Sequence, residues 1–440
     1  MKFSNSTKKQ TRPDGLNSTK AVKRMSTTIE DVIARKVFNS RGEETIEIDI
    51  ITSMGFGRAS APSGASRGKA EVTPYPKGGI DEAIKKVEQT IAPELIGLNS
   101  DSQEEIDGLL HSLDGTNNFS NIGGNTAFAV SLAVADAAAN TYGLPLFQYL
   151  GGYYAKELPY PLGNVLSGGK HTRGKGPEIQ EFLILPVGAP SFFEAEKANT
   201  LVHKKVEKAL EKKDKSFTGG KSDEGAWTCS LSNEEALEVV AKACEEVSNE
   251  IGFECKLALD IAASTFWNNK KKRYMYRNGK RSLDSGEQLE YVLNLIRTYN
   301  LIYVEDPFHE NDFKSFAELT KKVKSCLICG DDLFVTNLKR LKKGIRLGSA
   351  NAIIIKVNQI GTLTDAWETV RMAKEAGYVP VVSHRSGDTV DNHIAHLAVG
   401  LSCPIIKTGV VEGARIAKLN ELIRIEEMLG ERALMAQLKV

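Results

Sequence analysis

The sequence predicts an α/β protein, a (β/α) barrel preceded by a smaller α+β capping domain, and three observations carry that prediction. Beyond Pro161 short apolar runs recur, each with a charged or polar residue at its edge: "EFLILP", "KLALDIA", "LIYVEDP", "CLICGDD", "NAIIIKVNQ", "VPVVSHR" and "PIIKTG". Amphipathic segments such as "NEEALEVVAKACEEVSNEI", "GEQLEYVLNLIRTY" and "TDAWETVRMAKEAG" separate most of them. Near-continuous apolar strands alternating with helices indicate a parallel sheet covered by helices. Several runs end in Asp260, Glu305, Asp331, Lys356, His384 and Lys407. An open, doubly wound sheet gives the same rhythm but gathers its strand ends mainly at one switch point, whereas a closed barrel brings all of them around one mouth. The barrel is the better reading, and no GxGxxG loop follows any of these strands.

The elements follow in order. Residues 1–28 form a basic segment, with Lys2, Lys8, Lys9, Arg12, Lys20, Lys23 and Arg24 against Asp14. Its polar composition and lack of apolar periodicity predict a disordered tail, or an upstream start before Met25. Residues 29–155 form the capping domain. There "DVIARKVFNSRGEETIEIDIIT" alternates apolar and polar residues like a strand meander. The glycine-rich "APSGASRGKAE" leads from it to helical segments, "GGIDEAIKKVEQTIAPELIG" and the alanine-rich "TAFAVSLAVADAAA". "LPLFQYLGGYYAKELPYP" suits a domain joint, and residues 156–440 form the barrel.

Bulk properties narrow the function. The 440 residues are 41% hydrophobic and 26% charged, enough for a barrel plus an appendage. Fifty-seven Lys and Arg against 56 Asp and Glu give a net charge of +1. No bias toward nucleic acid or anionic lipid results, and a small-molecule partner is expected, with neither nucleic acid nor membrane. The alanine-rich run is too short to span a bilayer, and Asp136 interrupts it. No cleavable signal opens the chain, so a reducing, cytoplasmic setting is expected. Six scattered cysteines, including the pair in "CLIC", read as small hydrophobes rather than as a zinc or redox site.

Chemistry concentrates at the strand ends. Asp260, Glu305 and Asp331 arrive from three strands, and three carboxylates at one mouth repel unless a cation joins them. Oxygen-only donors suit Mg²⁺. Any one acid alone would more often cap a helix or pair with a basic neighbour, but three in consecutive βα units make that the minority view. Beside a divalent cation at one mouth, Lys356 and Lys407 disfavour each other's charge, so one of them can be neutral near pH 7 and act as a base. Lys407 also has a plain reading, a stem along the barrel with its head in water, which fits Lys356 poorly. Glu224 in "SDEGAW" and Glu181 in "IQEFLIL" are candidate acids, and His171 sits on a glycine-flanked loop of the kind that closes over ligands. With Arg385 and Ser386 as an anion clamp, the set describes proton abstraction next to a carboxylate followed by loss of a leaving group. That is a metal-assisted β-elimination on a phosphorylated hydroxy acid.

The motifs go further than generic chemistry. They are "SRG" at Ser40, "PSGAS" at Pro62, "GGNT" at Gly123, "QEF" at Gln180, "DEG" at Asp223, "ALDIAAS" at Ala258, "EDPF" at Glu305, "GDDLFVTN" at Gly330, "KVNQIGTLT" at Lys356, "SHRSG" at Ser383 and "IKTG" at Ile406. In this order they make the chain, from about residue 29 to about 428, resemble the enolase (phosphopyruvate hydratase) family, archaeal-like with atypical loops. The resemblance implies a (β/α)8-type enolase barrel with an irregular start and reversible dehydration of 2-phosphoglycerate to phosphoenolpyruvate, in glycolysis and gluconeogenesis. It also implies two Mg²⁺ ions and a homodimer or higher homo-oligomer. Carried onto this chain, it makes Asp260, Glu305 and Asp331 the first-metal ligands and Lys356 the base. Lys407 would hold the substrate carboxylate, Arg385 with Ser386 the phosphate. Glu224 with Glu181 would assist departure of the hydroxyl, Ser40 would meet the second metal, and His171 and His384 would line the pocket.

Departures from the family pattern fall on loops: Glu44 where a proline is common, a longer and more charged "KHTRGKGPEIQEF", "SDEGAW" for a glycine-rich turn, and Asp388 for a glutamate. Two other readings remain. A sister lyase or racemase of the superfamily would waste an Arg-Ser phosphate clamp. A paralogue serving as a binding or scaffold protein would have no need of three metal carboxylates and two lysines.

Overall fold

Alternating residues in "IEDVIARKVF" and "ETIEIDIIT" form β1 (Ile29–Phe38) and β2 (Glu44–Thr52), which with β3 (Phe56–Ser60) make an antiparallel meander in the order β1-β2-β3. The structure, a computed structural model, describes residues 26–64, 67–172, 176–276 and 281–438. Most of the expected basic tail, 1–25, lies outside the described residues. Its last part does not behave as a tail: the Thr27 hydroxyl donates to Asp101 at 3.0 Å, and Thr28 bridges Asn99. Composition alone could not show this, because both partners lie some seventy residues away.

Helices α1 (Gly79–Lys86), α2 (Gln103–Asp114) and α3 (Gly124–Thr141) complete the cap. The alanine-rich run becomes α3, buried on nearly every side. Its small side chains let it lie directly on β3. A Cβ on Gly57 would stand 2.0 Å from the Ala133 carbonyl oxygen, so helix and sheet backbones touch there only because Gly57 has none. The inward face of β2, Ile46, Ile48 and Ile50, fills the layer between.

The barrel strands are β4 (Tyr160–Ser167), β5 (Glu181–Val187), β6 (Glu254–Asp260), β7 (Tyr303–Glu305), β8 (Leu327–Gly330), β9 (Ala352–Ile355), β10 (Val379–Ser383) and β11 (Ile405–Gly409). They are hydrogen-bonded in that order, and β11 pairs with β4 in parallel register, Ile405 against Tyr160, so the sheet closes into a ring. Periodicity read every run as parallel, yet β5 runs antiparallel to both β4 and β6. The cause is the connection. A loop with one short turn of helix, Gly169–His171, joins β4 to β5 where a parallel pair needs a crossover. Two helices, α4 (Phe192–Lys213) and α5 (Asn233–Ile251), then follow before β6.

Outer helices cover the remaining strands, among them α6 (Ser285–Tyr299), α7 (Phe313–Lys322), α8 (Leu338–Leu347), α9 (Leu363–Glu375), α10 (His393–Gly400) and α11 (Gly413–Leu429). Each βα unit places its strand's C-terminal end at the same rim. All six cysteines are buried free thiols, Cys326 and Cys329 packed in and beside β8. Among the described residues no helix is long and apolar enough to cross a membrane.

The cap sits on that rim. Ser63 and Gly387 exchange both backbone hydrogen bonds, at 2.7 and 2.8 Å, and the Ser40 N–H donates to the Asp388 carbonyl at 2.7 Å. Farther out, Asp107 accepts from the Thr364 N–H at 2.9 Å and its hydroxyl at 2.6 Å. Loops of the cap are therefore part of the wall around the barrel mouth.

Candidate active site

Strand register decides which side chains share the mouth. Asp260, last in β6, stands beside Glu305, last in β7, and across from Glu181 of β5. Because β5 runs backwards, its first residue reaches the rim where its neighbours bring their last. Asp331, Lys356 and His384 directly follow β8, β9 and β10. Lys407 lies within β11, opposite Ser383, and reaches the mouth from inside the ring.

The lysines hold the acids. Lys407 Nζ donates to Glu305 at 2.9 Å and Asp260 at 3.0 Å and stands 3.1 Å from Glu181. Lys356 Nζ donates to one oxygen of Asp331 at 2.5 Å, while Gln359 donates to the other at 2.9 Å. Against these carboxylates alone, both lysines are held charged. Burial works against the Lys356 charge, but the adjacent Asp331 carboxylate outweighs it and raises the pKa. Burial likewise opposes Lys407, and Asp260, Glu181 and Glu305 raise it well above the usual lysine range. On the acid side, burial and repulsion from Asp260 push Glu305 up to about 7 despite Lys407. Burial also acts to raise Asp331, but Lys356 brings it below the ordinary range. Attraction between opposite charges thus decides the two lysines and Asp331, while at Glu305 burial and like-charge repulsion win.

Glu224 enters from the side on the turn of "SDEGAW". Asn164 of β4 donates to its Oε2 at 2.9 Å, while His384 Nε2 and His171 Nδ1 stand 3.5 and 3.8 Å from Oε1. His171 also lies 3.0 Å from Asp223 and 3.8 Å from Glu181. Burial and the Glu224 charge raise Glu181 well above the ordinary carboxyl range. Burial acts the same way on Glu224, yet the His171 and His384 imidazoles beside it hold it low. Of the two glutamates, Glu181 is therefore the better holder of a proton and Glu224 the readier carboxylate. Burial opposes charge on His171, and Glu224 and Asp223 overcome it, raising the imidazole to about 9. Burial takes His384 down to about 4, so it is neutral.

Arg385 donates to Asn358 at 2.9 Å and to both oxygens of Glu71 at 3.2 Å. Arg415, fully buried, donates to the carbonyls of Arg385, Ser386 and Asp223 at 2.9, 2.6 and 2.9 Å. Neither Glu71, Asn164, Asn358 nor Arg415 figured in the reading of the sequence. Asn164 carries a visible signal, a lone amide inside the otherwise apolar "YPLGNVLS", buried along its whole length. Asn358 lies within the "KVNQIGTLT" motif, whereas Glu71 and Arg415 carry no such signal, since their partners are distant in the chain.

His171, Glu181, Glu224, Asp260, Asp331, Lys356, His384, Arg385, Ser386 and Lys407 line one small cleft, a cavity of about 30 Å³, and Glu305 accepts from Lys407 beside it. Ser40 is not brought there. Its hydroxyl donates to the Ser386 carbonyl at 3.3 Å, on a groove outside the cleft, because the "SRG" turn is tied to the backbone of 386–388. Parts of two motifs, 65–66 in "PSGAS" and 173–175 in the histidine loop, lie outside the described residues.

Family models match both parts of the chain: residues 29–150 match the enolase N-terminal domain and residues 155–440 the enolase C-terminal TIM barrel domain. The chain belongs to the enolase family. Similar curated proteins include the enolase of Methanothermobacter thermautotrophicus, 55% identical over 92% of this chain and 97% of that one. The enolase of Methanosphaera stadtmanae is 55% identical over 92% of this chain and 98% of its own length, and that of Pyrobaculum aerophilum 49% over 94% and 99%. Enolase membership implies a divalent metal, and the donors fit one. Asp260, Glu305 and Asp331 offer hard oxygen ligands, and Glu305 Oε1 is a buried acceptor with no hydrogen-bond partner. Asp331 also approaches Asp306 and Asp332 within 4.8 Å, but Asp306 is already committed, accepting from the backbone N–H groups of Asp331 and Asp332 at 3.1 and 2.7 Å.

Proposed function

We propose that this enolase-family chain catalyses the reversible dehydration of 2-phosphoglycerate to phosphoenolpyruvate. One observation carries the reading. Around the ring of eight strands β5 is second and β9 sixth, so Glu181 and Lys356 face each other across the mouth. A base and an acid on opposite sides of a substrate can remove a proton and a hydroxyl from its two faces.

In this reading Lys356 takes the C2 proton. The Glu181–Glu224 pair delivers a proton to the hydroxyl departing from C3, with His171 beside them and neutral His384 closing the wall. Arg385 and Ser386 bind the phosphate, and Lys407 binds the carboxylate, where its charge meets the growing enolate. What Mg²⁺ supplies when bound to Asp260, Glu305 and Asp331 is positive charge for the substrate carboxylate and relief of the negative charge that keeps Lys356 protonated. Two Mg²⁺ sites are proposed. Ser40, whose hydroxyl donates to the Ser386 carbonyl, keeps its oxygen lone pairs for the second.

A homodimer or higher oligomer in the cytoplasm is proposed as well. In its support, Phe38 and Val390, 71% and 78% exposed, stand on one groove at the cap–barrel border, an unusual place for large apolar side chains in a monomer. We take 29–155 as cap and 156–440 as barrel.

The test is direct. Purified protein given 2-phosphoglycerate and Mg²⁺ produces the ultraviolet absorbance of phosphoenolpyruvate, and withdrawal of Mg²⁺ stops it. A flat trace from folded protein at saturating Mg²⁺ rules the reading out.

A further inference from the structure

We propose that His203 is a positioning residue that fixes where Glu224 stands, acting through the Gly225 carbonyl. The inference rests on the reading of Glu224 as half of the acid pair. His203 lies on α4, the helix covering β4, with its ring turned inward and 4% exposed. A histidine on a helix's inner face is most often simple core, but this one points its polar atom at the acid turn. Nε2 lies 2.9 Å from the Gly225 carbonyl oxygen, which can only accept, so Nε2 carries the proton.

The ring has no freedom to leave. It stacks on Trp227 with centroids 4.8 Å apart and planes at 28°, and Trp227 Nε1 donates to the His203 carbonyl at 2.9 Å. The turn it grips is equally confined. Gly225 has φ +79°, where a side chain is disfavoured, and a Cβ there would fall 2.6 Å from Glu412 and 2.7 Å from the Val411 carbonyl. On the opposite side the Glu224 carbonyl presses on the end of β11, 2.1 Å from where a Gly409 Cβ would lie. Asn164 holds the Glu224 carboxylate and His203 holds the Gly225–Ala226 peptide just beyond it, so the acid turn is fixed at two points.

A misplacement of the order of 1 Å at a catalytic group costs about tenfold to a hundredfold in rate. His203→Phe keeps the ring and the stack on Trp227 and removes only the N–H. Assayed with Mg²⁺ on the full chain, it lowers kcat for dehydration at least about tenfold and leaves KM within about twofold. Exchange of the substrate's C2 hydrogen with solvent, which needs Lys356 but no hydroxyl departure, stays near the parent rate. His203→Gln, whose amide N–H reaches as far as Nε2, restores most of kcat. His203→Asn, polar but too short, behaves like His203→Phe and serves in its place should the aromatic variant not fold. Parent-like kcat in both His203→Phe and His203→Asn, exchange lost in step with turnover, or no rescue by His203→Gln overturns the proposal. Glu224→Gln is the control: full dehydration in that variant overturns the role of Glu224 itself, whereas its loss alongside a fully active His203→Phe overturns only the role of His203.

Discussion

Glu71, from the loop that leads out of the cap's meander, closes both carboxylate oxygens on the Arg385 guanidinium at 3.2 Å, with both side chains buried. The residue proposed to bind phosphate thus already faces an anion supplied by the chain. Breaking one side of a buried pair leaves an uncompensated charge and costs about 3–5 kcal/mol. Glu71→Gln is expected to lower stability by that order, and 2-phosphoglycerate, returning an anion to Arg385, raises the melting temperature of the variant more than that of the parent. Thermal unfolding with and without ligand measures both. An equal ligand shift in the two proteins contradicts the pairing of phosphate with Arg385.

Lys356→Ala keeps the fold, since the side chain's contacts lie at the rim rather than in the apolar interior, and loses at least on the order of a hundredfold in kcat. Steady-state rates, with circular dichroism to confirm folding, check this. A near-normal rate excludes Lys356 as the base.

Gly57→Ala is expected to destabilise the cap by about 1–3 kcal/mol, because its new methyl falls 2.0 Å from the Ala133 carbonyl and must push α3 off β3. Urea unfolding reads the change. Activity at low temperature should follow stability and not shift on its own.

Burial holds His203 neutral, with its pKa taken from 6.5 to about 4. The sign follows from proton counting: between those values the unfolded chain binds a proton that the folded chain refuses, so stability is full above about pH 6.5 and falls as pH drops toward 4. The group's share is roughly 3 kcal/mol at most. His203→Gln should therefore show a flatter loss of stability over that range than the parent in pH-dependent urea unfolding.

Much of the barrel could be read from sequence because an apolar run that ends in a charge marks both a buried strand and its rim. Asp260, Glu305, Asp331, Lys356 and His384 stood out in that way. The direction of β5 did not, since "EFLILPV" carries the same pattern whichever way it runs, and only the short 168–180 connection reverses it. Lys407 was visible as a lysine in an apolar run, but its simultaneous pairing with Glu181, Asp260 and Glu305 was not. The pattern placed acids and lysines at one mouth but could not show which acid each lysine meets. Glu71, Arg415 and the Ser40–Ser386 contact depend on pairings across hundreds of residues, about which no local window of sequence is informative.

Lys407, from β11, binds acids that begin or end β5, β6 and β7, so a single ammonium ties four strands of the ring at the mouth. The chain therefore carries its own counter-ion and can finish folding in a compartment short of divalent cations. A chelator should idle such a protein without unfolding it, leaving the melting curve close to that of the parent and restoring turnover as soon as Mg²⁺ returns.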